Sequence, residues 1–63
     1  MRIPISVAYA GRTHSGEYET AGRIMRVYYD DMPPKVAHRS RLTPDETLAK
    51  MVLRELVQSR RKH

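Results

Sequence analysis

The sequence predicts an α+β fold: a small antiparallel β-hairpin or three-stranded sheet with one C-terminal amphipathic helix across it. Three observations carry this. Residues 2–10 alternate apolar and polar side chains with the period of a strand, and residues 44–60 repeat apolar side chains with the period of a helix. Between them, Asp30-Asp31-Met32-Pro33-Pro34 interrupts any regular element. The reading is of one small domain over 1–63, divided into a strand region (1–31), a proline-containing basic stretch (32–42) and a helix with a basic tail (43–63).

In the first strand Ile3, Ile5, Val7 and Tyr9 share one face, and Arg2, Pro4, Ser6, Ala8 and Ala10 share the other. Pro4 lacks an amide hydrogen, so this strand lies at a sheet edge or begins at Pro4. Gly11 to Gly16 reads as a polar loop. Arg23–Tyr29 is rich in aromatic and β-branched residues and reads as a second strand, with Met25, Val27 and Tyr29 opposite Ile24, Arg26 and Tyr28. Tyr18, Ala21, Met25 and Tyr28 also fall at helical spacing, so a helix competes here; Gly22 within it would cost about 1 kcal/mol relative to Ala.

The two prolines impose extended geometry. Lys35–Leu42 then alternates weakly and reads as a charged linker, with a third short strand as the alternative. Thr43-Pro44-Asp45-Glu46 is a helix start: a capping hydroxyl, proline in the first turn, and acids at the positive end of the dipole. The helix is expected from about Pro44 to Arg60. Leu48, Ala49, Met51, Val52, Leu53 and Leu56 form its apolar face, and Lys50, Arg54, Gln58 and Arg61 line the opposite one.

Composition narrows the function classes. The chain has no Cys, Trp or Phe and only four Tyr, so the core is thin and there is neither a disulfide nor a thiolate metal cage. A partner or a homodimer would supply additional burial. No apolar run approaches the roughly 20 residues of a membrane span, and the amino terminus has no apolar run fitting a signal peptide. A soluble, cytoplasmic protein without membrane contact is the expectation.

Charge supplies the functional direction. Arg2, Arg12, Arg23 and Arg26 cancel Glu17, Glu19, Asp30 and Asp31, so the net charge of +5 belongs to residues 32–63. Lys50, Arg54 and Arg61, extended by Arg60 and Lys62, form a basic stripe on the helix. Phosphates would convert the mutual repulsion of those cations into attraction through counterion release. Arg39 and Arg41 add to it, and Arg26 with Tyr28 could stack on unpaired bases. The plainer interpretation is a solvated helix face, with the tyrosines capping the core.

Catalytic signals are weak. In Thr13-His14-Ser15 sequence neighbours do not present their side chains to one another, and no carboxylate stands by to orient the histidine. Gly11 to Gly16 begins like a phosphate loop, but Glu17-Tyr18 stands where Lys and Ser or Thr are required. His14, His38 and His63 lack metal-ligand spacing. The expectation is therefore a non-enzymatic module with no catalytic residue, metal or cofactor. It would bind nucleic acid through the helix face and C-terminal tail. The alternative is a small inhibitor or adaptor that docks on an acidic surface of a larger protein, as a viral antagonist of a host protein does.

A strand–helix–helix arrangement is the alternative fold. It resembles the ribbon-helix-helix repressors in outline, which implies a dimer whose paired first strands enter the major groove. Pro4 within the strand and the proline-containing connection between helices count against it.

Overall fold

The computed structural model describes residues 1–61; Lys62 and His63 lie outside the described residues, as does the side chain of Arg61. The elements are β1 (Ile3–Tyr9), β2 (Arg12–Ala21), β3 (Ile24–Tyr28), β4 (Lys35–His38) and α1 (Asp45–Arg61). The strands form one antiparallel meander in the order β1-β2-β3-β4, and α1 crosses one face of it. The α+β class agrees with the sequence expectation, with four strands rather than two or three.

The extra strands come from two segments whose sequence disguises them. Arg12–Gly16, expected as a loop, is the first half of β2. It is polar because most of it faces solvent, and β1 supplies its register through pairs such as Ile5 with Gly16 and Val7 with His14. Lys35–His38, expected as linker, is β4, held against β3 by the Met25–Ala37 and Val27–Lys35 pairs. Residues 17–29 are strand, turn and strand, so neither the competing helix nor the strand–helix–helix fold is present.

Two tight turns set the meander. Ala10 and Gly11 both have positive φ (52° and 78°), the requirement of a two-residue type I′ hairpin between Tyr9 and Arg12. At the next turn Gly22 (φ 61°) precedes Arg23, joining Ala21 to Ile24. Gly16 has a different task. A Cβ there would lie 2.6 Å from the Tyr28 carbonyl oxygen and 2.8 Å from Leu53 Cδ1, so only glycine lets α1 settle this close to the sheet.

The core unites Ile5 and Val7 of β1, Tyr18 of β2, Met25 and Val27 of β3, and Ala49, Val52, Leu53, Leu56 and Val57 of α1. The strand faces follow the sequence alternation. Along the helix, the buried face is rotated slightly from expectation: Val57 is inside and Met51 is 58% exposed. Met51 lies on the β1 flank of the helix, beside Ser6, Val7 and Ala8, where no further strand covers it. The helix begins at Asp45, one residue beyond Pro44, whose carbonyl accepts the first helical bond from the Leu48 amide at 3.0 Å.

Candidate anion-binding groove

Most of the expected helix cations have partners. Arg60 Nη1 lies 2.8 Å from both Asp30 Oδ2 and Asp31 Oδ1. Its hydrogen bond and charge hold the Asp31 carboxyl below the ordinary aspartate range, and the same contact raises the Arg60 guanidinium. Lys50 approaches Glu46 one turn away at 3.9 Å. Arg54 Nη2 donates to the Ala8 carbonyl at 3.3 Å, bridging α1 to β1. Lys50 and Arg54 therefore line a groove along β1 rather than an isolated helix face. Arg61 closes the helix backbone, and Lys62 falls outside the described residues.

Arginines gather differently at the β2–β3 turn. Beyond β4 the ladder continues for one bond, from the Arg39 amide to the Arg23 carbonyl at 2.8 Å. This sets Arg39 beside the turn. Its Nε and Nη2 donate to Asp45 Oδ1 and Oδ2 at 3.1 and 2.8 Å, and its Nη1 donates to the Gly22 carbonyl at 2.8 Å. One planar guanidinium thus ties the turn to the first turn of α1, using the fork geometry a lysine lacks. Ser40 Oγ accepts from the Leu42 amide at 3.1 Å and bends the chain back.

Gly22, Arg23, Arg39, Ser40 and Arg41 consequently line an open groove of about 470 Å³. Asp45 neutralises Arg39. Arg23 and Arg41 have no carboxylate partner among the described residues, so the groove keeps two uncompensated cations. Arg39 and Arg41 were among the sequence candidates; Arg23 was not. By position it belongs to the half of the chain whose charges cancel, and only the hairpin brings it beside Arg41. Its signal in the sequence was its place next to Gly22, at the tip of a turn.

On the sheet face away from α1, the Arg2 guanidinium lies 3.8 Å over the Tyr28 ring, and the Tyr28 hydroxyl donates to Glu19 Oε1 at 2.7 Å. That bond lowers the Glu19 carboxyl and raises the Tyr28 phenol from their ordinary values. Arg2 also approaches Glu17 at 3.7 Å, and Arg26 stands opposite Glu19 in the β2–β3 register. The expected Arg26–Tyr28 platform is therefore already engaged by protein groups, and a base would have to displace Arg2 from the Tyr28 ring face it covers.

Strand alternation also separates Thr13-His14-Ser15. His14 faces the helix side, where its Nδ1 is 3.0 Å from the Tyr29 hydroxyl and the rings meet edge to face, while Thr13 and Ser15 face the other side. Among the described residues no group of three or more His, Asp or Glu side chains is placed to hold a metal ion. No described helix is long and apolar enough to cross a membrane. Comparison with protein-family models, curated proteins and solved structures finds no match.

Proposed function

We propose that this protein is a non-enzymatic nucleic-acid-binding module whose principal phosphate contacts are Arg23 and Arg41, with Arg39 holding the groove in shape. The observation that carries this reading is that two arginines without a carboxylate partner among the described residues share one groove; Arg2, Lys35, Arg39, Lys50 and Arg60 are paired with carboxylates, whereas Arg12, Arg26 and Arg54 are not. Guanidinium groups fork onto phosphate oxygens, and each neutralised phosphate releases condensed counterions. Lys50 and Arg54 add secondary contacts on the β1 flank, and the Arg61–Lys62 tail, whose side chains lie outside the described residues, is proposed as a further one. Engagement of Tyr28 by Arg2 and Glu19 favours backbone recognition over base stacking, so duplex should bind at least as well as single strands and with little sequence preference. Such a role is consistent with a cytoplasmic protein.

The test is fluorescence anisotropy with labelled duplex DNA, single-stranded DNA and RNA over a salt series. The Arg23→Gln/Arg41→Gln double variant should bind duplex about tenfold more weakly at moderate salt, with the slope against log salt reduced by about two. Unchanged affinity and slope in a variant with native circular dichroism would sink the proposal.

A further inference from the structure

The two edges of the sheet differ. β4 is a four-residue edge entered through Pro33-Pro34, which limits what can pair with it. β1 is seven residues long and, among the described residues, has no neighbouring strand on its outer side. Its two-residue turn makes Tyr9–Arg12 a hydrogen-bonded pair, and such pairs alternate along an antiparallel ladder. Val7, Ile5 and Ile3 therefore also bond to β2. The backbone groups of Ala8, Ser6 and Pro4 point outward, and all three residues are exposed. The Arg54 bond to the Ala8 carbonyl agrees with that direction. The open edge thus offers the Ser6 and Ala8 amides as donors and the Ser6 and Pro4 carbonyls as acceptors.

Beside this edge runs the groove lined by Ser6, Val7, Ala8, Lys50, Met51 and Arg54. Met51 is the most exposed apolar side chain of the helix. It stands between two cations, and among the described residues the only carboxylate paired with either is Glu46, at 3.9 Å from Lys50. We infer that β1 and this flank of α1 form a docking site for an extended acidic segment of another protein, added to the sheet as a fifth strand. The inference goes beyond the nucleic-acid reading: it rests on the β1 edge and shares with that reading only Lys50 and Arg54, which are secondary contacts there.

Antiparallel addition opposite Ser6 makes two bonds with one partner residue, a third from the Ala8 amide and a fourth to the Pro4 carbonyl. Pro4, which has no donor, ends the ladder. Side chains of the added strand alternate, so every second one faces α1. Carboxylates at those positions meet Lys50 and Arg54, and the methylene stems that carry them lie over Met51. The charge of the flank selects this occupant over a second copy of the chain. A two-fold β1–β1 pairing puts both helices on the same face of the joined sheets, with Lys50 and Arg54 of each turned toward the same cations of the other.

The probe is a synthetic nonapeptide of alternating glutamate and valine, with an alternating lysine and valine peptide as control. Amide hydrogen exchange is followed residue by residue on the full chain. The glutamate peptide should protect the Ser6 and Ala8 amides and leave those of Arg23 and Arg41 unaffected. Ser6→Pro removes an outward donor without touching the β1–β2 ladder, and should weaken binding at least tenfold while duplex DNA binding is retained. Lys50→Glu/Arg54→Glu, a surface change, should likewise weaken peptide binding at least tenfold should Ser6→Pro fail to fold; its readout is the peptide alone, because both residues are also secondary phosphate contacts. No protection at millimolar peptide, or equal protection by the lysine peptide, would overturn the inference. So would protection that grows with protein concentration alone, which would assign the edge to a second copy. Loss of DNA binding in Arg23→Gln/Arg41→Gln has no bearing on these amides, so the two proposals fail separately.

Discussion

Arg60 at one end of α1 and Arg41 near the other are the same residue type in a chain of net charge +5, yet the fold gives them opposite tasks. Arg60 is held between two carboxylates and fastens the Asp30-Asp31 turn to the helix. Arg41 has no carboxylate within reach among the described residues and shares its groove with the equally uncompensated Arg23. Arg39, between these extremes in kind, gives three donors to Asp45 and the Gly22 carbonyl and holds the groove together. The lesson is that a charge excess does not locate a binding site. The uncompensated fraction does, because a cation already paired must give up its partner before it can accept another anion.

The largest effect should come from breaking the platform that both ends share. Gly16→Val drives a side chain into the Tyr28 carbonyl and Leu53, and overpacking at so tight a contact should cost about 3 kcal/mol or more by urea denaturation. Next comes the contrast itself. Arg23→Gln/Arg41→Gln should cost about tenfold in duplex affinity at moderate salt, while Arg60→Gln should change it less than about twofold. Equal losses would mean that net charge alone matters.

A smaller and more revealing effect is expected of Arg39→Ala. Removing the link between turn and helix should destabilise by about 1 kcal/mol and leave Arg23 and Arg41 less well positioned, so affinity falls although their charges remain. Full affinity in that variant would deny Arg39 its positioning role.

The smallest effect is on pH dependence. The Asp31 carboxyl is held below its ordinary value of 3.8 by Arg60, so its contribution to stability is present above that value and lost as pH falls through the depressed one. Arg60→Gln should therefore lower the thermal midpoint at neutral pH, and the difference from the unchanged protein should shrink as pH falls below 3.8 and through the depressed value. A difference that persists there would assign Arg60 a role independent of Asp31.

Much of the fold was legible locally. The alternation of β1 and the period of α1 are properties of neighbouring residues, and the core faces of β1 and β3 follow from them. Arg12–Gly16 and Lys35–His38 were not legible as strands, because neither carries its own apolar pattern. Each is a strand because its backbone groups find partners on a neighbour whose pattern is strong. Gly16 shows the same limit. As a loop residue it is unremarked, whereas within β2 it is the point where α1 comes closest. Among the candidate binding residues, Arg39 and Arg41 stood out by charge. Arg23 required the hairpin, and the pairing of Lys50, Arg54 and Arg60 with groups on the helix, β1 and the Asp30-Asp31 turn required the whole assembly.

The sequence by itself determined the α+β class, the helix and its start, and a basic character, and it narrowed the strand carrying Pro4 to an edge or to one that begins at that residue. These rest on periodicity, on turn and capping chemistry, and on net charge, all of which act over a few residues or over the chain as a sum. Tertiary structure alone decided the number of strands, the exposure of Met51, and which cations are compensated. Each of these depends on contacts between residues far apart in the chain: a strand needs its neighbour's hydrogen bonds, burial needs an opposing surface, and a cation is compensated only where folding brings a carboxylate or carbonyl within reach.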